Sequence, residues 1–131
     1  AAEQARDWIG GGVAPGDVAL LATKADVPDL LAAAQCILGD EVAVLGGPDA
    51  LASVRGRVVV ADPSTFRGME RAWVAVGCTR AFAAQDRSDS FLYVAMTRAR
   101  AGLAVFLAHG AGAWFRQLQV CNGARGLQTA P

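Results

Sequence analysis

The apolar runs of this chain are short, unbroken and separated by turn residues, and this pattern limits the fold most. The run Asp17–Lys24 (DVALLATK) follows a Pro-Gly turn, and Val27–Gly39 repeats apolar residues at helical spacing. Runs without a polar face are typical of parallel strands buried on both sides, and their alternation with helices favours an α/β domain. We predict strands at 17–24, 41–47, 56–63, 73–78 and 102–108, and helices at 27–39, 88–101 and 112–120.

The 131 residues suit one domain, a three-layer α/β unit with a mostly parallel sheet. We expect an entry helix and turn over 1–12, a core over 13–108, and a C-terminal helix and tail over 109–131. A hydrophobic content of 53% against 18% charged residues excludes disorder. No apolar stretch reaches the roughly 18 residues of a membrane span, and no secretion signal is visible, so we expect a cytoplasmic protein without a membrane partner.

The charge and the cysteines exclude several classes of site. Twelve basic and twelve acidic residues give zero net charge, so no broad basic field indicates nucleic acid, although a few directed phosphate contacts stay open. Cys36, Cys78 and Cys121 form no CxxC pair, and His109 stands alone. We therefore expect reduced thiols and no metal site.

The common nucleotide-binding motifs are missing. Lys24 follows Thr23, so the chain has no Gly-Lys-Ser/Thr loop, and the glycines at 10–12 precede the first strand instead of following it. The stretch Val58–Asp62 (VVVAD) resembles a magnesium-binding strand of ATPases, but Pro63 favours a turn. The chain is not expected to hold a nucleotide alone.

The stretch Phe91–Arg100 (FLYVAMTRAR) ends an apolar pattern with two arginines. At about 100° per residue, a helix would place Arg98 and Arg100 on opposite flanks of its buried stripe, so both could not clamp one ligand. The residues alone leave two readings open: one arginine aimed at a phosphate, or both solvated at a helix end. The stripe itself would comprise Leu92, Ala95, Met96 and Ala99.

A second candidate is Ser64–Val76 (STFRGMERAWVAV), in which Gly68 joins two strands between Arg67 and Glu70. A glycine with charged neighbours is usually only a turn. Backbone amides near Gly68 would nevertheless suit a phosphate chain, and Glu70 would accept a hydrogen bond from a sugar hydroxyl.

Taken together, FRGMERAWVAV and FLYVAMTRARAGLAVF resemble motifs V and VI of superfamily 1 DNA helicases of the UvrD/Rep type, commonly HSFKGLE and LYVALTRAR. The upstream part is similar to the opening of the second RecA-like core domain of that family, including the region of motif IV. The resemblance covers about 13–107 and implies a RecA-like, P-loop NTPase-like domain that lacks its own P-loop.

The resemblance also implies roles for single residues. Arg98 would be an arginine finger on the γ-phosphate of ATP, Glu70 would contact the ribose, and Arg100 would be structural or solvated. ATP and Mg²⁺ would be held mainly by the N-terminal RecA-like domain of the same parent protein. The further expected contacts are Gly68, Thr97 and Lys24 to the nucleotide, and Arg67, Ser64 and Thr65 to single-stranded DNA.

Departures from the family pattern keep a second hypothesis open. Thr23 and Lys24 stand where the family has an arginine, and Asp62 and Ser64 where it commonly has Thr and His. The leading hypothesis is the C-terminal motor domain of an ATP-dependent helicase, inactive as an isolated chain. The alternatives are a helicase-like binding or regulatory module without motor activity, and an unrelated flavodoxin-like domain.

Overall fold

The computed structural model describes residues 1–45, 54–66, 69–78 and 94–107. Short 3-10 turns, Pro15–Asp17 and Gly39–Glu41, lead into the first two strands. The helices are α1 (Ala2–Gly10) and α2 (Val27–Leu38); the strands are β1 (Val18–Ala22), β2 (Val42–Val44), β3 (Val58–Ala61), β4 (Arg71–Cys78) and β5 (Ala99–Leu107).

The five described strands form one sheet in the order β2-β3-β1-β4-β5. Every neighbouring pair is parallel. This confirms the predicted α/β class with a mostly parallel sheet, and the arrangement is that of a RecA-like domain. A flavodoxin-like sheet has the order 2-1-3-4-5, whereas here β3 lies between β1 and β2, so that alternative is wrong.

Helices α1 and α2 cover one face of the sheet. Alternate strand residues point to this face, and Val18 and Leu20 of β1 are buried there beside Val58 and Val60 of β3. Ala5 of α1 and Ala34 of α2 are fully buried against them. Small helix residues let the helices approach the branched side chains closely. Helix α2 ends at Leu38, and Gly39 follows it with a φ of 63°, which glycine adopts without strain.

The opposite face carries the other half of the core. Ala19, Leu21 and Val59 are buried there under Phe66, which follows β3, and Ala95, which precedes β5. Each fully buried Leu, Val or Phe contributes about 1.5–3 kcal/mol relative to exposure. The segments before and after β4 are thus anchored to the sheet, and they contain most of the site residues predicted from the sequence.

One predicted helix ends earlier than expected. Within 88–101, the described residues are helical at 94–96, form a turn at Thr97 and Arg98, and enter β5 at Ala99. The physical reason is tertiary, because Ala99 pairs with Arg71 of β4 and the strand starts where this pairing begins. Arg100 therefore lies on a strand, and the assignment of Arg98 and Arg100 to two flanks of one helix is wrong.

Several predictions lie outside the described residues, among them the helix at 112–120, His109 and the start of the 88–101 helix. The observed strands are mostly shorter than predicted at their ends, and β5 begins three residues before the predicted Gly102. Within the part of the chain that the structure describes, no helix is long and apolar enough to cross a membrane.

Candidate functional site

The parallel sheet separates the predicted site residues into two groups. Glu70 directly precedes β4 and Arg98 directly precedes β5, so both lie at the amino edge of the sheet. Lys24 follows β1, and Ser64 and Thr65 follow β3, so these three lie at the carboxyl edge.

The distance between these edges is set by β4. Arg71 pairs with Ala99 at one end and Gly77 with Ala22 at the other. Six residues at about 3.3 Å each separate the two levels by about 20 Å. Lys24 and Arg98 consequently cannot hold the same phosphoryl group, and the single nucleotide site expected for them is divided between two edges.

The main chain of Arg98 is fixed on both sides. Its N–H donates to the carbonyl of Ala95 (3.2 Å), and its carbonyl accepts from the N–H of Arg71 (3.1 Å). The side chain is half-buried. Its Nε is closed off from solvent and has no hydrogen-bond partner among the described residues. A guanidinium that extends from a fixed main chain and has an unsatisfied donor is suited to an incoming anion.

Thr97 stabilises the turn that positions Arg98. Its hydroxyl donates to the carbonyl of Val94 (2.8 Å), one of the carbonyls left free where the helical turn ends. A hydroxyl has a single proton to donate. In this conformation the proton of the Thr97 hydroxyl is used within the turn, so Thr97 helps to position Arg98.

Glu70 lies beside Arg100 at this edge. An oxygen of its carboxylate is 3.8 Å from Nε of Arg100, and the two side chains are 55% and 72% exposed. Exposed pairs of this kind contribute about 0–1 kcal/mol. Glu70 is therefore free to exchange this contact for a ribose hydroxyl at little cost.

A change of register brings Arg100 to Glu70. Arg71 pairs with Ala99 but Trp73 pairs with Gly102, so β5 has one residue more than β4 over this interval. Such bulges redirect side chains and are common near functional sites. The sequence carries no signal for this irregularity, which is why the pair was missed.

Arg71 was also missed. It is the first residue of β4, its side chain is half-buried, and its Nε is closed off from solvent without a hydrogen-bond partner in the described residues. In the sequence it is only the residue after Glu70. Its importance depends on the pairing of β4 with β5, which puts its main chain against that of Arg98.

At the carboxyl edge, Asp62 organises the turn after β3. Its carboxylate accepts hydrogen bonds from the backbone N–H groups of Ser64 (3.1 Å) and Thr65 (3.3 Å) and from both hydroxyls. Burial raises the pKa of Asp62, but these hydrogen bonds outweigh burial and hold the pKa below its ordinary value. The structure shows the turn that Pro63 predicted.

Lys24 is the remaining candidate that the structure describes, and it has no comparable geometry. Lys24 is exposed in the turn after β1, where the neighbouring hydroxyl of Thr23 donates to Asp26 (3.0 Å). Arg67 and Gly68 lie outside the described residues. No group of three or more His, Cys, Asp or Glu residues in the described ranges could hold a metal ion.

Comparison with known proteins supports the fold. No protein-family model and no curated protein matches the chain. Among solved structures, it is similar to the C-terminal domain of the DEAD-box protein Dbp5, with a TM-score of 0.64 and 13% identity. The match covers 95% of this chain and 80% of that one. At this identity the likeness concerns the fold, which is a RecA-like α/β domain.

Proposed function

We propose that this chain is the second RecA-like motor domain of an ATP-dependent DNA helicase or translocase of the UvrD/Rep type. The observation that carries the proposal is Arg98, whose main chain is fixed at the end of a helical turn and whose Nε has no partner among the described residues. The RecA-like fold and the similarity to motifs V and VI support it. The nucleotide belongs to a site on a partner RecA-like domain, against which this edge closes.

In this proposal Arg98 acts on the γ-phosphoryl group of ATP. Negative charge develops on that group during hydrolysis, and a planar, permanently charged guanidinium stabilises it. Glu70 accepts a hydrogen bond from the ribose in place of its weak contact with Arg100. In this proposal Mg²⁺ is held with the ATP phosphates by the partner domain, as in other P-loop NTPases.

Single-stranded DNA is assigned to the turn after β3 and the adjoining Arg67. The hydroxyls of Ser64 and Thr65 donate to Asp62. Either residue must give up that bond before it can donate to a DNA phosphate. Arg67 therefore carries the main phosphate contact in this proposal, and DNA and ATP approach the domain at different edges. ATP binding and hydrolysis close and reopen the interdomain cleft, which moves DNA across both domains.

The test is Arg98→Ala in the parent protein that contains the P-loop domain. We expect DNA-stimulated ATPase activity to fall about 10³-fold or more, as for other arginine fingers. The matched control is Arg100→Ala, which removes the same type of side chain two residues later. Because Arg100 takes part only in an exposed pair, its loss should change the rate by about fivefold at most.

Unaltered DNA-stimulated ATPase activity in the Arg98→Ala protein would refute the finger assignment. A parent protein without any DNA-stimulated ATPase activity, although folded, would favour the alternative of a binding or regulatory module. Thermal unfolding of each variant separates a loss of catalysis from a loss of folding.

A further inference from the structure

Two arginines meet at the amino edge of the sheet, and only one of them was expected to contact phosphate. The N–H of Arg71 donates to the carbonyl of Arg98, so the two backbones are held 3.1 Å apart at the starts of β4 and β5. This bond fixes the main-chain positions from which both side chains extend, Arg71 at the start of β4 and Arg98 in the turn just before β5. Movement of one main chain relative to the other would require this hydrogen bond to break.

Both guanidinium groups share one unusual property. Nε of Arg71 and Nε of Arg98 are the two side-chain donors of the described residues that are closed off from solvent and make no hydrogen bond. Buried donors are normally paired, because an unmet donor loses its hydrogen bonds to water without replacement. One of these two donors belongs to the residue at the start of β4 and the other to the residue just before β5. This arrangement is expected of a binding site whose hydrogen-bond acceptor is a separate molecule.

The local charges select an anion as that acceptor. Glu70 is the acidic residue beside Arg71, but its ion pair is with Arg100 and not with Arg71 or Arg98. The group Glu70, Arg71, Arg98 and Arg100 has a formal charge of +2, from three arginines and one glutamate. Arginine pairs with phosphate through several N–H donors in one plane, and it stays charged at all relevant pH values.

We infer that Arg71 is a second phosphate-binding residue, which acts with Arg98 on the polyphosphate of a nucleotide. The inference rests on the proposed function for the identity of the anion. Lys24 cannot supply this second cation, because it lies at the opposite edge of the sheet, about 20 Å away. Arg71 at the start of β4 and Arg98 in the turn before β5 would together hold the phosphoryl group.

The experiment follows the Nε–H signals of arginine by ¹H–¹⁵N NMR at pH 6, using the chain itself and inorganic tripolyphosphate as the probe. Arg71→Lys and Arg98→Lys assign the two signals and preserve the charge. Arg6 is the internal control, because it lies on α1 and its ion pair is with Asp7. The readout does not depend on ATP hydrolysis.

We expect the Arg71 and Arg98 signals to shift together with one dissociation constant, while the Arg6 signal stays in place. Arg71→Gln should lower the affinity for tripolyphosphate about tenfold, because it removes a charged hydrogen-bond donor. Arg98→Gln should lower this affinity by about the same factor. Arg6→Gln should leave the affinity unchanged. Arg71→Lys should recover only part of the loss, because a lysine lacks the planar fork.

A shift of the Arg98 signal alone would overturn the inference, because Arg98 would then be the single phosphate-binding arginine of the two. Shifts that occur only when the partner RecA-like domain is added, and not with tripolyphosphate, would also overturn it, since the acceptor would then be a carboxylate of that domain. Binding of tripolyphosphate through both arginines by a parent protein without ATPase activity would uphold this inference and refute the proposed motor function.

Discussion

At the scale of single residues, four of the described arginines fall into two pairs with different surroundings, and the surroundings suggest different roles. Arg6 and Arg100 are exposed and have carboxylate neighbours at 3.7 and 3.8 Å. Arg71 and Arg98 are half-buried, with Nε atoms that have no partner in the described residues. The N–H groups of an exposed guanidinium form hydrogen bonds with water. A guanidinium with a buried and unpaired Nε–H can still donate a hydrogen bond to an anion.

Asp62 provides a residue-scale prediction about pH. Its pKa is lowered because four hydrogen bonds to its carboxylate outweigh burial. A carboxyl group with a lower pKa in the folded state stabilises the fold above its unfolded pKa, and this contribution is lost as pH falls through the folded pKa. The stability difference between the unaltered chain and Asp62→Asn should therefore be constant near neutral pH and shrink in acid, as measured by urea unfolding.

The donors to Asp62 supply the control. Ser64→Ala combined with Thr65→Ala removes both hydroxyl donors but keeps the carboxylate and the two backbone N–H donors, so the pKa of Asp62 should rise relative to its value in the unaltered chain. The ¹³C chemical shift of the carboxyl carbon reports this titration directly. A midpoint that does not move in the double variant would contradict the hydrogen-bond explanation.

At the scale of elements, the junction of β4 and β5 positions the candidate site. Trp73 of β4 pairs with Gly102 of β5, and the ring of Trp73 packs against Trp8 of α1 with centroids 5.2 Å apart at 50°. A Cβ added at Gly102 would overlap Cε3 and Cζ3 of Trp73. Because Trp8 supports the ring from another side, the indole has little room to move.

Gly102→Ala should therefore destabilise the chain by about 1–3 kcal/mol, the usual cost of overpacking a filled core. Chemical denaturation measures this free energy of unfolding. Gly10→Ala is the matched control, since no atom lies within 4 Å of a Cβ added there and the position is helical. That control should be neutral or slightly stabilising. Equal losses in both variants would contradict the packing explanation.

At the scale of the whole molecule, the two edges of the sheet carry different kinds of polar residues. Ligands that an α/β domain holds itself usually bind at the carboxyl ends of the strands. The arginines with unpaired donors lie instead at the amino edge, which suits a contribution to a site held by another domain. The carboxyl edge bears the Asp62 turn, which in our proposal contacts DNA.

The chain on its own should therefore hydrolyse no ATP, because it has no P-loop to hold the phosphates. A phosphate-release assay on the purified chain, with and without single-stranded DNA, measures this. Turnover that disappears in Arg98→Ala would contradict the division of the site between two domains. Turnover that is unchanged in Arg98→Ala would indicate a contaminating ATPase.

The sequence by itself determined the layers of this protein. Unbroken apolar runs such as Val58–Ala61 require burial on both faces, and α2 was predicted to within one residue from its spacing and from Gly39. The motif resemblance also points to Arg98 and Glu70, whose roles stay predictions. These features are local, because the burial pattern, the helix spacing and each motif depend on residues that are close together in the sequence.

Only the tertiary structure decided how the site residues are grouped. Helical spacing predicted that FLYVAMTRAR continues as a helix through Arg100, but pairing of Ala99 with Arg71 starts a strand instead. That pairing places Arg71 beside Arg98, places Glu70 beside Arg100, and leaves Lys24 at the far edge. Strand pairing joins residues distant in sequence, so its register and its bulge depend on the packed sheet and not on local propensity.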